Sequence, residues 1–445
     1  MTTRVDGGPD SSPADGVTGL AEELLSPAGA ELLARVARAR EDGQPIMATA
    51  DRLRREFPAS LVAAATAQDE LRVAGRAKFS RALEMLFTRP GLEQASSERA
   101  ARHRAGRLND SAGPGGRLAD LGCGIGGDLI ALAAGRDVLA VDRDHDHLLM
   151  ATHNAGVYGA AGDLRTEQAD VRDVGLAGVT TVFLDPARRS PRGNAQRGAG
   201  QSGAGQHRRL RPGDSEPPLD WCFALAGPVP NVVIKAAPGL PAGTTPDGWE
   251  TEFVADGRDL KEAVLWSPAL ATATSRATIL PTAGTAALDT GHTLTPEPGD
   301  PVPVKPPGAY LFDPSPAVTR AGLVEDLARR LGAWKIDDRI AFLSTDVPGP
   351  ALDTPFARAL RIIESAPWNE KHFARRLREL GIGSADLRRR GLAGDVDQIR
   401  RRLKLSGPGR ATVVLTRVAD RPWGLICIDA GPGGGRNLTR PGRTG

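Results

Sequence analysis

Apolar positions along the chain change rhythm twice. Leu20, Leu24 and Leu25, then Leu32, Leu33 and Val36, recur at helical spacing, and the pattern continues to about Arg107. Pro45 and Pro58 cut this stretch into separate helices. The run Lys78–Thr88, apolar on one side and basic at its start, belongs to the same helical pattern, as does Leu92–Arg99 continuing through Arg104. From Leu118 short apolar runs take over, each stopping at a polar residue. They are Leu118–Leu121 with its acidic Asp120, Val138–Val141 ending at Asp142, Thr181–Leu184 ending at Asp185, and Asn231–Ile234 ending at Lys235, while Gln168–Val171 puts an acidic residue after a third short strand. Helical patterns at Leu129–Ala134 and from Leu219 lie between them, and strands alternating with helices predict a parallel sheet. Thr251–Ala255 and Ala263–Trp266, split by the turn Asp256–Asp259, read as a closing antiparallel pair.

Pro296 to Pro307 carries six prolines and no core pattern, which reads as a linker. A second, smaller α/β unit follows, ending in the β runs Ala411–Arg417 and Trp423–Ile428. The expected organisation is a disordered tail at 1–18, a helical domain at 19–110 and an α/β domain at 111–285. The linker at 286–307, a small C-terminal α/β domain at 308–430 and a disordered tail at 431–445 complete it.

Composition narrows the class. At 445 residues, two or three domains are expected. No apolar run approaches 18 residues, so no membrane span is expected, and the first eight residues lack the charged start and apolar core of a signal peptide. Cys123, Cys222 and Cys427 are too few and too scattered for a disulfide framework or a structural zinc site, and no metal is expected. These features point to a cytoplasmic protein. The formal net charge is only +3, and arginine dominates the positive charge. Clustering is therefore more informative than the total. Arg375, Arg376 and Arg378, then Arg388–Arg390, then Arg400–Arg402, form three basic clusters in the last unit. A solvated helix face explains any one of them, whereas three together suggest contact with RNA phosphates, which arginine grips with a planar fork. Aromatic content of 4% argues against base stacking on an open sheet.

The most informative stretch is Leu118–Asp128, where four glycines (Gly122, Gly124, Gly126 and Gly127) fall within six positions between a strand and a helix. Such a loop lets backbone approach a ligand closely. Gly122, Gly124 and Gly127 match the dinucleotide fingerprint G-x-G-x-x-G, a weak signal alone. Asp120-x-Gly122-x-Gly124-x-Gly126 equally resembles motif I of class I S-adenosylmethionine-dependent methyltransferases. Asp142 at the second strand tip suits the ribose of either cofactor. Asp170 after the third strand, and Asp185-Pro186 after the fourth, resemble the methyltransferase pattern, and a dehydrogenase has no reason to carry the Asp-Pro sequence there.

With its helical front and its C-terminal unit, the chain resembles actinobacterial methyltransferases that carry a THUMP-like domain, over residues 20–430. The resemblance implies a Rossmann-like sheet of seven strands, parallel but for the last, with an N-terminal helical cap and a small THUMP-like α/β domain. It implies S-adenosyl-L-methionine as cofactor. Asp120, Gly122, Gly124 and Gly126 would hold its methionine end, Asp142 the ribose and Asp170 the adenine amino group. Asp185 and Pro186 would orient the attacking group, with Arg188 and Lys235 as clamps for a substrate phosphate or carboxylate. RNA is the implied partner, transfer and ribosomal RNA being candidates, because THUMP domains deliver RNA to catalytic domains.

Amino-methylating relatives continue Asp/Asn-Pro-Pro-aromatic, whereas Ala187-Arg188 stands here, which leaves the methylated atom open. Carbon methylation through a covalent adduct needs a well-placed cysteine, and neither Cys123 nor Cys222 is one. The alternatives are a methyltransferase of a small acidic metabolite, a binding protein that has lost catalysis and, more distantly, an NAD(P)-dependent oxidoreductase. The Gly-rich basic segment 190–218 is expected to be mobile.

Overall fold

A computed structural model describes residues 19–113, 115–160, 163–188, 215–281, 291–349, 352–392 and 395–430. The expectations for the two tails, and for nearly all of segment 190–218, lie outside the described residues. The described chain forms two compact units. One runs to Lys235 and includes Trp266–Leu270, and the other comprises Ala236–Leu265 and the residues from Ala271 onward.

The first unit opens with α1 (Leu20–Leu25), α2 (Pro27–Glu41), α3 (Ile46–Leu53), α4 (Ala59–Gly75), α5 (Arg89–Gln94) and α6 (Glu98–Ala112). Pro45 and Pro58 sit at the N-caps of α3 and α4, where a missing N–H costs nothing. Between α4 and α5 the expected helix over Lys78–Thr88 is instead a chain of turns, and the next helix breaks at Ala95. Side chains from elsewhere take the backbone bonds that a helix would have supplied. Gln68 brackets Phe87, Arg72 Nε donates to the Met85 carbonyl at 2.7 Å, and Glu98 accepts from the Ser80 N–H at 2.6 Å. The Lys78 ammonium donates to the carbonyls of Leu92, Glu93 and Ala95, closing the C-terminal end of α5.

Next come β1 (Arg117–Leu121), α7 (Leu129–Leu132), β2 (Val138–Asp142), α8 (His145–Val157), β3 (Leu164–Gln168) and β4 (Val179–Leu184). The short antiparallel pair β5 (Ala187–Arg188) and β6 (Ser215–Glu216), then α9 (Leu219–Ala224) and β7 (Asn231–Ala236), follow. Strands pair in parallel in the order β7-β4-β1-β2-β3. Among the described residues the helical front shares its core with the elements that follow it. Leu32, Val36, Leu53, Val62, Phe79 and Phe87 share one apolar cluster with Ile125 of the glycine loop, Ile130 of α7 and Met150 of α8.

The second unit contains the expected neighbours β8 (Glu250–Asp256) and β9 (Asp259–Trp266, whose last residue belongs to the first unit). It adds two strands not anticipated, β10 (Ser275–Leu280), parallel to β8, and β11 (His292–Leu294), antiparallel to β10. The proline-rich stretch is packed, because Val302 is buried and Pro303 and Lys305 exchange backbone hydrogen bonds with Lys335.

The remaining elements are β12 (Tyr310–Pro314), α10 (Pro316–Arg320), α11 (Val324–Leu331), β13 (Trp334–Lys335), β14 (Leu343–Thr345) and β15 (Ala357–Pro367). After them come α12 (Glu370–Glu379), β16 (Ile382–Arg389), α13 (Val396–Leu403), β17 (Gly409–Val418) and β18 (Arg421–Asp429). They build a seven-stranded sheet in the order β13-β14-β12-β15-β18-β17-β16. Among the described residues its only parallel strand pair is β16 with β17. Side-chain alternation along β17 separates two cores: Val413 and Leu415 pack with Phe373, Leu377 and Leu403 of the helices, and Val414 packs with Phe342 and Leu360.

Candidate active site

Strand β1 delivers Asp120 to its C-terminal end and hands over to the glycine loop. The N–H groups of Gly122 and Cys123 both donate to the Val141 carbonyl, at 2.8 and 3.0 Å, which pins the turn to β2. Gly122 and Gly124 have φ of +88° and +53°, and a Cβ on either would meet nothing within 4 Å, so the loop keeps an open face. Gly126 is glycine for a different reason: at φ +83°, its Cβ would lie 2.9 Å from Ala151 Cα of α8.

Asp142, at the tip of β2, holds the loop from the other side. Its Oδ2 accepts from Gly124 N–H at 2.9 Å and its Oδ1 from Asp144 N–H at 2.9 Å, with His147 Nδ1 at 3.4 Å. These contacts, led by His147, keep its pKa below the usual carboxylate range although burial pushes the other way, and Asp142 in turn raises that of His147. Asp170 lies two residues beyond β3, where Arg143 and Arg172 pair with it and the Arg172 N–H donates to it at 3.0 Å.

Asp120 is buried, and its Oδ2 has no hydrogen-bond partner among the described residues. Burial, followed by the charges of Asp128, Asp185 and Asp142, drives its pKa well above the ordinary value, and Lys235 only partly offsets this. Opposite it runs a chain of charges. Arg104 of α6, 1% exposed, pairs with Asp128, which also accepts from Ser96 Oγ at 3.2 Å. Arg104 and Lys235 hold Asp128 below its usual pKa against the effect of burial. The Lys235 ammonium at the end of β7 stands 4.0 Å from Asp128 and pairs closely with Asp185 at the end of β4.

Five of the expected residues, Asp120, Gly122, Gly124, Gly126 and Asp142, therefore meet around one loop, and Asp185 and Lys235 meet as a pair beside them. Pro186 follows Asp185, half-buried; the side chain of Arg188 lies outside the described residues. Asp128, Arg104, Ser96 and Asn154 are additional to the sequence reading. Asn154 of α8, fully buried, donates to the Leu86 and Ile125 carbonyls at 2.9 and 2.8 Å and accepts from Leu86 N–H at 2.8 Å. Only Asp128, closing the glycine motif, carried a local signal; the others act on partners far along the chain.

The thiols are poor nucleophiles. All three are buried, and burial pushes Cys123 and Cys427 well up and Cys222 to about 12. Among the described residues there is no group of acidic, histidine or cysteine side chains able to hold a metal, and no helix long and apolar enough to cross a membrane.

Three family models match parts of the chain. That of RNA cap guanine-N2 methyltransferase covers residues 116–191, a THUMP domain-like model covers 357–428, and a domain of unknown function covers 20–75. Two curated relatives, described as uncharacterised S-adenosylmethionine-dependent methyltransferases from the CDC 1551 and H37Rv strains of Mycobacterium tuberculosis, are each 35% identical over 352 residues. The match covers 75% of this chain and 85% of each relative. A crystal structure of a candidate methyltransferase of Porphyromonas gingivalis W83 superposes with a TM-score of 0.70 at 19% identity, covering 90% of this chain and 98% of that one, a likeness of fold. With a motif I glycine loop on a parallel sheet and relatives of this extent, the chain belongs to the S-adenosylmethionine-dependent methyltransferases and carries a THUMP-like domain at its C-terminal end.

Proposed function

We propose that this enzyme methylates RNA, in the cytoplasm, from a cofactor site at the glycine loop. The observation that carries the site is the buried, unpartnered Oδ2 of Asp120 next to a loop whose Gly122 and Gly124 face open space. An orphaned carboxylate oxygen of that kind fits a cationic amino group, which the methionine end of S-adenosylmethionine supplies. Asp142 braces the loop and offers its remaining acceptor capacity to ribose hydroxyls. Asp170 serves the adenine amino group, with Arg143 and Arg172 fixing its orientation.

When bound, S-adenosylmethionine presents a methyl group made electrophilic by its sulfonium. The protein's own work is to place the attacking atom and to exclude water. Asp185 and the Pro186 carbonyl orient that atom. Lys235, tied to Asp128 and through it to Arg104, holds the Asp185 carboxylate in place. Arg188, three positions beyond Asp185, is the proposed clamp for a substrate phosphate or carboxylate. The match to the cap guanine-N2 methyltransferase model over the catalytic strands, and to a THUMP-like model over 357–428, supports RNA as the substrate class.

Mass spectrometry of nucleosides from total RNA, comparing the parent with a deletion strain, tests this reading. One methylated nucleoside should disappear, and it should return with the wild-type gene but not with Asp185→Ala. That variant should bind S-adenosylmethionine within about threefold of wild type while turnover falls at least ~100-fold, the scale of one positioned catalytic group. Identical modification profiles in the two strains would remove RNA and favour a small acidic metabolite as substrate.

A further inference from the structure

The second unit contains a cavity of about 440 Å³ that the catalytic reading does not use. Four arginines line it: Arg258 from the turn between β8 and β9, Arg358 on β15, Arg388 on β16 and Arg390 just beyond β16. His292 also lines it, and Ile279, Leu280 and Pro316 form an apolar ledge. Three of the four guanidiniums are held by carboxylates. Arg358 donates to Asp429 at 2.7 Å and to Asp386 at 3.3 Å, Arg388 donates to Asp386 at 3.0 Å, and Arg390 donates to Asp313 at 2.8 Å.

Arg258 makes no hydrogen bond or ion pair with any described residue, so four guanidiniums face three carboxylates and one positive charge is left over. Partial desolvation against the cavity wall, then the like charges of Arg358 and Arg388, depress its pKa although the residue is exposed, with Asp429 and Asp313 compensating in part. An unpaired cation crowded by two others lowers its energy when an anion joins it. Planar forks already fixed by Asp386, Asp429 and Asp313 give up little entropy in meeting a phosphate.

The lining contains no phenylalanine, tyrosine or tryptophan, so it offers a base nothing to stack on. A backbone phosphate with its ribose on the apolar ledge suits it better. Arg258 is on an exposed turn and Arg388 is half-exposed, which suits a polymer passing across the mouth more than a small molecule sealed inside.

We propose that this pocket is a phosphodiester subsite for RNA, with Arg258 as the guanidinium that takes the phosphate and Arg358, Arg388 and Arg390 as its fixed surround. The inference rests on the RNA reading above and adds a place where the substrate is gripped.

Fluorescence anisotropy with labelled bulk transfer RNA and the full-length protein, across a salt series, tests it. Arg258→Gln should weaken binding ~10-fold at low salt and reduce the log–log salt slope by about one, as expected for one lost phosphate contact. Arg258→Lys should recover part of the loss. Equal melting temperatures show that the variants fold, since Arg258 holds no described partner. Unchanged affinity and slope in Arg258→Gln overturns the subsite while leaving RNA as substrate. So does stabilisation of wild type by inorganic phosphate that depends on Arg258 without any effect of the variant on RNA; the pocket then serves a free phosphate compound. No RNA complex with wild type at low salt overturns both readings.

Discussion

At the residue scale, Asp120 is the side chain whose ionisation the fold opposes most. It is buried, one oxygen is orphaned, and three further carboxylates act on it through a low-dielectric interior. A carboxyl whose pKa is higher folded than unfolded destabilises the folded state progressively as pH rises above the unfolded value, which is about 4. Asparagine at this position keeps the shape and cannot ionise. The melting temperature of Asp120→Asn without cofactor should therefore rise relative to wild type, by a margin that widens as pH rises above that value. Cofactor binding should move the other way. Losing a charge-assisted hydrogen bond to the methionine amino group costs about 1.5–3 kcal/mol, or roughly 10–150-fold in the calorimetric dissociation constant. A variant that binds the cofactor as tightly as wild type would place the amino group elsewhere.

At the scale of elements, the strand–glycine loop–helix unit was legible because its determinants are local. An acidic strand end, glycines at positions of positive φ and an apolar helix start all fall within Leu118–Leu132. The strands Val138–Asp142, Val179–Leu184 and Asn231–Ala236 were legible for the same reason, each being a short apolar run with a polar end. What could not be read depends on partners distant in sequence. Residues 78–88 have helical spacing but fold as turns, because Gln68, Arg72, Glu98 and Asn154 supply their backbone partners. The Arg104–Asp128 pair spans 24 positions, and α6 shows only a basic helix in sequence.

Asn154 makes the most direct test of that long-range wiring, since one amide ties α8 to both the turn segment and the glycine loop. Asn154→Ala leaves one N–H and two carbonyls short of a partner in the core. It should cost about 2–4 kcal/mol in urea denaturation, above the typical effect of a point change. The Ile125 carbonyl lies inside the glycine loop, so cofactor affinity should also fall several-fold. A stability loss below about 1 kcal/mol would mean that apolar packing around Ile125 and Met150 already fixes the loop.

For the molecule as a whole, a net charge of +3 on 445 residues is too small to attract a polyanion as a bulk field, so any hold on RNA must come from where arginines are grouped. The three clusters seen in the sequence turn out unlike one another. Arg376 of α12 is committed to Glu364 and Glu379, and Arg388 and Arg390 to Asp386 and Asp313. On α13 the commitment is looser: Arg400 and Arg402 stand 3.4 and 3.7 Å from Asp397 and Glu370, and all three arginines of Arg400–Arg402 are exposed. Exposed pairs of that length contribute little to stability, so these side chains can turn to a phosphate at small cost. Replacing Arg400, Arg401 and Arg402 together by glutamine in the full-length protein should leave the melting temperature nearly unchanged. The same replacement should lower the log–log slope of RNA affinity against salt by up to about three. Because phosphate contacts are blind to sequence, structured and unstructured RNAs should weaken alike. Loss confined to one RNA would mean instead that α13 reads shape, and an unchanged slope would return these arginines to the role of a solvated helix face.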